Sequence, residues 1–108
     1  YPALLREIAD PPPVLWVSGE PRRLHEPSVA LVGSRAATSY ALTVAKRLAA
    51  DLSAAGVAVV SGLARGVDAA AHRGALSGSG GTVAVLGCGA DVIYPAEHRD
   101  LAAAVQAN

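Results

Sequence analysis

The sequence VAVVSGLARGVDAAAHRGAL, residues 57–76, contains a buried-type strand, a glycine-containing loop and an alanine-rich helix in direct succession. Two further stretches repeat the strand and the loop, VALVGSR at residues 29–35 and VAVLGCG at residues 83–89, and a helix-like segment follows each. This alternation is typical of parallel strands joined by right-handed crossovers. The three loops are therefore expected to open at one carboxyl edge of a sheet, where such folds bind ligands.

The expected fold class is α/β, a Rossmann-like three-layer parallel sheet with helices on both faces, truncated before its last strands. Residues 1–27 are interpreted as a lead-in segment with a short edge strand at 14–17, and residues 28–108 as a partial Rossmann-like domain. Strands are predicted at 28–33, 57–61 and 82–86.

Capping residues predict where the helices begin and end. Thr38 or Ser39 begins the first helix and Gly56 ends it, and a second helix spans 68–76. The glycine- and serine-rich run 77–81 predicts a flexible connection. A turn is expected at 91–95, with a final helix at 95–105.

Composition restricts the core and the partners. The chain has 108 residues, of which 52% are apolar with no Phe or Met, so small aliphatic side chains must fill the interior. Nine basic residues balance nine acidic ones, so any contact with a polyanion must be local. A single cysteine, Cys88, excludes an internal disulfide, and the absence of a signal-like or membrane-spanning stretch favours a cytoplasmic protein.

The three loops combine backbone N–H groups with hydroxyls and two arginines, which suits a phosphate. The alternative is that the glycines only allow tight turns and that the arginines are solvated surface charges. The candidate phosphate contacts are Gly33, Ser34, Arg35, Thr38, Ser61, Gly62, Leu63, Ala64, Arg65, Gly66, Gly87, Cys88 and Gly89. Tyr94, beyond the third loop, either stacks on a base or ribose or packs over that loop.

Catalysis is not favoured by these residues. Ser61, Asp68 and His72 could be mistaken for a hydrolytic triad, but a nucleophile elbow needs glycine two residues before and after the serine, where Val59 and Leu63 stand. Asp68 is instead interpreted as a cap of its helix that orients His72 beneath the loop. The histidines and Cys88 lack metal-ligand spacing, and neither a complete dinucleotide fingerprint nor a Walker lysine is present, so no metal or cofactor is expected.

Three stretches, VALVGSRAATSY, VAVVSGLARGVDAAAHRGAL and TVAVLGCGADVIYPAEHRDL, resemble the DNA-processing protein A family, also called DprA or Smf. YPALLREIADPPPVLWVSGE precedes them, so the resemblance covers nearly the whole chain. It implies a Rossmann-like domain that binds single-stranded DNA without catalytic turnover, protects incoming strands in natural transformation and helps to load RecA. It also implies that Arg35 is the main phosphate contact.

Two departures from the family pattern bear on DNA binding. Ala96 stands where many members have a lysine, which removes one phosphate contact or shifts it to Arg99. The family's later aromatic and basic segment lies beyond Asn108, as do the surfaces associated with self-dimerisation and RecA contact.

Two other functions remain open. Similar crevices in Rossmann-like enzymes cleave nucleoside monophosphates, although such enzymes pair a threonine-containing loop with a downstream glutamate, for which Glu97 is a poor substitute. The domain could also bind a small nucleotide and regulate a partner.

Overall fold

The computed structural model of the chain describes residues 1–89 and 96–108. Its strands are β1 (Ser28–Ala30), β2 (Ala58–Ser61) and β3 (Thr82–Ala84). Its α-helices are α1 (Ser39–Ala54), α2 (Val67–Ala75) and α3 (Arg99–Ala107), and 3-10 helical turns span Leu4–Glu7, Pro21–His25 and Ala96–His98. Within this part of the chain, no helix combines the length and the apolar character needed to cross a bilayer.

The sheet is parallel and follows the order of the chain, β1-β2-β3. Val29 lies opposite Val59, and Val60 lies opposite Val83. The connections from β1 to β2 and from β2 to β3 are crossovers of the same hand, so α1 and α2 lie on the same face of the sheet. There the two helices pack against each other. The predicted α/β class is confirmed, and the three strands end at one edge.

The packing of α1 on α2 depends on small residues, as the composition predicts. A Cβ on Gly74 would collide with the carbonyl oxygen of Lys46, so glycine is needed for this close approach of two helices. The contact buries a cluster formed by Ala49, Val59, Ala71 and Ala75.

The third helix, α3, packs against α2 and β3. Its Leu101 joins Leu63 and Ala69 in a second buried cluster, to which Ala84 of β3 contributes. Side chains alternate along a strand, so Val85, the neighbour of Ala84, points to the other face, where it is 64% exposed. Among the described residues, α1 and α2 pack on one face of the sheet, and α3 lies beside α2 and β3.

The predicted start and end of the first helix are confirmed, whereas the final helix, expected at 95–105, is an α-helix only over Arg99–Ala107. The Thr38 hydroxyl oxygen accepts a hydrogen bond from the N–H of Ala41 at 3.1 Å, and α1 follows directly. Gly56 has φ +82° just beyond the end of α1, a left-handed conformation that suits glycine. The predicted turn at 91–95 lies outside the described residues.

The flexible connection expected at 77–81 is wrong. The N–H of Gly81 donates to the Ser53 hydroxyl at 3.0 Å, and the N–H of Gly80 donates to the Ser53 carbonyl at 2.9 Å. Both glycines are buried. The connection is fixed because the end of α1 supplies its hydrogen-bond acceptors.

The edge strand expected at 14–17 is also wrong, because these residues form no strand. The Trp16 side chain is 83% exposed. Directly after this stretch, the Ser18 hydroxyl accepts a hydrogen bond at 2.7 Å from the Gln106 side chain on α3. The apolar pattern predicted a strand, but the backbone of this stretch contributes no pairing to the described sheet.

Candidate functional site

The three loops that follow the strands meet in one cleft at the carboxyl edge of the sheet. This carboxyl-edge cleft has a volume of about 270 Å³ and is open to solvent. Its walls come from all three loops, which confirms the expectation that they open on the same edge. The lining residues are Arg35, Gly62, Ala64, Arg65, Leu86, Gly87 and Cys88.

The first loop is fixed against the start of α2. The Ser34 carbonyl accepts a hydrogen bond from the N–H of Val67 at 3.2 Å, and a Cβ on Gly33 would overlap the Val67 side chain. The Ser34 hydroxyl oxygen accepts from the N–H of Ala36 at 3.1 Å. Arg35 is exposed and has no ion pair among residues 1–89 and 96–108. Its guanidinium is therefore available to an anion in the cleft.

The first and second loops touch at Gly66. This residue has φ +76° and ψ −127°, a conformation almost restricted to glycine. A Cβ there would collide with the Ser34 carbonyl oxygen and lie 2.8 Å from that of Arg35. Gly66 therefore acts through close backbone packing, which brings the loops that carry Arg35 and Arg65 together.

The second loop directs its amides inward, which corrects the expectation that they cradle a phosphate. The N–H groups of Gly62 and Ala64 donate to Asp68 Oδ2 at 3.1 and 3.4 Å. The N–H of Leu63 donates to His72 Nε2 at 3.1 Å. These three amides already have acceptors inside the protein and do not point to an anion in the cleft.

Leu63 and Ser61 lie behind the cleft rather than in it. Leu63 is 1% exposed, has φ +60° and belongs to the buried cluster around Leu101. Ser61 is 3% exposed, and its hydroxyl donates to the Leu31 carbonyl at 2.6 Å. Both were expected to contact a ligand, but their burial gives them a structural role.

A neutral histidine supports the second loop from below. His72 is fully buried, and its Nε2 accepts from Leu63, so Nδ1 carries the proton and donates to the Thr82 hydroxyl at 2.7 Å. That hydroxyl donates in turn to the Val59 carbonyl at 2.6 Å. Burial lowers the pKa of His72 to about 4, against the opposing attraction of the Asp68 carboxylate.

A second imidazole, which sequence reasoning left without a role, holds the other side of Leu63. His98 Nδ1 donates to the Leu63 carbonyl at 3.0 Å, and His98 is 6% exposed. Both backbone groups of Leu63 are therefore bound by histidines. The only sequence signal for this contact is that His98 stands just before an amphipathic helix.

The possible triad does not form. The Ser61 hydroxyl donates to a backbone carbonyl, His72 uses both ring nitrogens within the core, and Asp68 accepts from loop amides. The expected role of Asp68 as a helix cap that orients His72 is wrong, because its carboxylate binds the preceding loop. The expectation that His72 closes the base of the loop is confirmed.

Asp68→Ala is expected to lower the free energy of unfolding by about 2 kcal/mol, because two amides lose a largely buried acceptor. Asp68→Asn keeps an acceptor oxygen and is expected to lose less than half as much. Urea unfolding followed by circular dichroism measures both. Equal losses in the two variants would contradict the proposed bond to the amides.

The second arginine of the cleft is paired with an acid from a distant part of the chain. Arg65 Nε donates to Glu97 Oε1 at 2.6 Å, and Arg65 Nη2 donates to Glu97 Oε2 at 3.4 Å. The Arg65 hydrogen bond holds the pKa of the Glu97 carboxyl below its usual value. Sequence reasoning considered Glu97 only as a catalytic acid and missed this pairing.

The third loop contributes Gly87 and Cys88 to the cleft. No atom of residues 1–89 and 96–108 lies within 4 Å of a Cβ built on Gly87. Cys88 is exposed. Gly89 lies further along, beside a groove formed by β3 and α3. Tyr94 lies outside the described residues.

Comparison with known proteins identifies relatives over the whole chain. The profile of the family described as DNA recombination-mediator protein A matches residues 1–108. A putative DNA processing protein DprA of Mycobacterium tuberculosis H37Rv is 52% identical over 102 residues, which cover 92% of this chain and 26% of the relative.

Two solved structures are similar along the entire chain. DNA processing protein A from Streptococcus pneumoniae matches with a TM-score of 0.90 and 39% identity, over 100% of this chain and 38% of its own. DNA processing protein A from Helicobacter pylori, solved in a study of its single-stranded DNA binding mode, matches with a TM-score of 0.92 and 32% identity. The match covers 100% of this chain and 49% of the Helicobacter pylori chain. The chain thus spans less than half the length of these relatives, and it belongs to the DNA recombination-mediator protein A family.

Proposed function

We propose that this chain is a single-stranded DNA-binding part of a recombination mediator, and that it holds the DNA backbone in the carboxyl-edge cleft. The observation that carries the proposal is Arg35, an exposed guanidinium in the cleft without an ion pair in the described part of the chain. A guanidinium binds a phosphate through two parallel hydrogen bonds, and a single strand offers phosphates at regular intervals.

In this proposal the cleft residues have different roles. Arg35 is the main phosphate contact and Arg65 a second one. At Gly87 the described part of the chain leaves space beside the backbone, which would let the DNA strand approach closely. Gly33, Gly66 and the buried part of the second loop hold the arginines in place without contacting DNA.

The wider role in the proposal rests on the family. The Helicobacter pylori relative was studied for single-stranded DNA binding. By extension, the protein that contains this chain protects incoming strands in natural transformation, forms dimers and helps to load RecA. No catalytic turnover is part of the proposal. The alternative function, cleavage of nucleoside monophosphates, is distinguished from it by an experiment with adenosine monophosphate.

Binding of a fluorescently labelled oligothymidine to the purified protein, followed by anisotropy, tests the proposal. Two or three phosphate contacts predict a slope of about −1.4 to −2.1 for the logarithm of the association constant against the logarithm of salt concentration. Affinity should therefore fall about tenfold for a fourfold rise in salt. The slope is shallow because the cleft contains few cations.

Adenosine monophosphate is the matched competitor. It should displace the oligonucleotide poorly, since one phosphate replaces several contacts. If adenosine monophosphate displaces the labelled oligonucleotide at concentrations as low as those at which an unlabelled oligonucleotide does, the proposal is contradicted and a nucleotide sensor is favoured. Release of free base would favour the cleaving enzyme.

A further inference from the structure

Two arginines face the same cleft, but only one of them is paired with an acid among the described residues. Glu97 approaches Arg65 through both carboxylate oxygens, at 2.6 and 3.4 Å, which is the fork geometry that a phosphate would use. The two side chains are 53% and 57% exposed, so the pair lies at the solvent-facing rim. The carboxylate thus occupies the position at which an anion would bind Arg65.

We propose that Glu97 is a built-in competitor for Arg65, which a DNA phosphate displaces when the strand enters the cleft. The proposal rests on the proposed function and extends it, because it assigns to Glu97 the control of affinity. Glu97 is not a DNA ligand in this scheme. It lowers the net positive charge that the empty cleft presents.

The exposure of the pair makes displacement possible. An ion pair between solvent-exposed side chains contributes little, because water and salt screen it and two long side chains must be ordered. A phosphate anchored beside Arg35 brings the next phosphate of the same strand to Arg65 at high effective concentration. A single phosphate lacks this advantage, so the competitor favours a polyanion over a mononucleotide.

Displacement of Glu97 from Arg65 should leave an electrostatic repulsion that lowers the affinity for DNA and can be measured. Once released, the Glu97 carboxylate remains near the DNA backbone and repels it. Removal of this charge should tighten binding without adding a contact.

Glu97→Gln tests the inference. We expect oligothymidine to bind about two- to fivefold more tightly, which corresponds to the contribution of an exposed ion pair. The salt slope should stay close to that of the wild type, because Arg65 neutralises the same phosphate in both complexes. The midpoint of thermal unfolding should stay the same, since the pair is exposed.

Asp51→Asn is the matched control. It removes one negative charge from the exposed pair of Arg47 with Asp51, 3.9 Å apart on α1 and outside the cleft lining. This variant should leave both affinity and salt slope unchanged. Equal effects of Glu97→Gln and Asp51→Asn would overturn the inference, because net charge alone would then explain them.

The outcomes separate this inference from the proposed function. If the wild type binds and Glu97→Gln matches it or binds more weakly, the inference is wrong while the DNA-binding proposal stands. If neither protein binds oligothymidine even at low salt, the proposed function fails and the inference fails with it.

Discussion

Arg35→Glu is expected to weaken oligothymidine binding about 100-fold, or about 2.7 kcal/mol. The substitution removes a charge-assisted contact, for which about 1.5–3 kcal/mol is typical, and places a carboxylate beside the phosphates. Arg35 is exposed, so its replacement should not disturb the fold. Fluorescence anisotropy at fixed low salt measures the loss.

Arg47→Glu is the control for this charge reversal. Arg47 is also exposed, with 83% of its side chain accessible, but it lies on α1 and does not line the cleft. Its reversal should change affinity by less than about threefold, since surface charges at a distance are screened. Comparable losses in the two variants would show that general charge, rather than the cleft, attracts the DNA.

As the pH is lowered from about 6.5 to about 4, protonation of His72 is expected to reduce the free energy of unfolding by on the order of 3 kcal/mol. In the unfolded chain His72 binds a proton near pH 6.5, whereas in the folded protein burial delays protonation to about 4. The unfolded state therefore binds more protons across this window, and stability is lost as the pH falls. Above it the histidine is neutral in both states, and its contribution is complete.

His72→Gln tests the assignment, because glutamine can accept from the Leu63 amide and donate to Thr82 but does not titrate. Its stability should be lower at neutral pH and should change much less across the same window. Urea unfolding followed by circular dichroism measures both proteins. A variant that keeps the wild-type slope would contradict the assignment to His72.

The order of strands, loops and helices could be predicted from the sequence because it depends on local patterns. Valine-rich runs end in glycine, Thr38 caps a helix, and Gly56 allows the turn that ends it. The meeting of three loops then followed from the geometry of parallel strands. These features need no knowledge of which side chains meet across the fold.

The functions of single loop residues were harder to predict, because they depend on contacts between distant residues. A glycine-rich loop shows where N–H groups are plentiful, but not that Asp68 and His72 accept them from below. Arg65 and Glu97 are 32 positions apart, and no pattern in the sequence joins them. The apolar run 14–17 likewise predicted a strand because pattern alone does not supply a pairing partner.

The attachment of Leu63 to two imidazoles has a consequence for how the cleft meets its ligand. The backbone of the second loop is held at both the N–H and the carbonyl of Leu63 before any DNA binds. In the proposed complex with single-stranded DNA, association would therefore require little ordering of the protein, and most of the conformational entropy would be lost by the nucleic acid. Free and bound forms of this loop should superimpose closely, as in lock-and-key recognition, with adjustment confined to the arginine side chains.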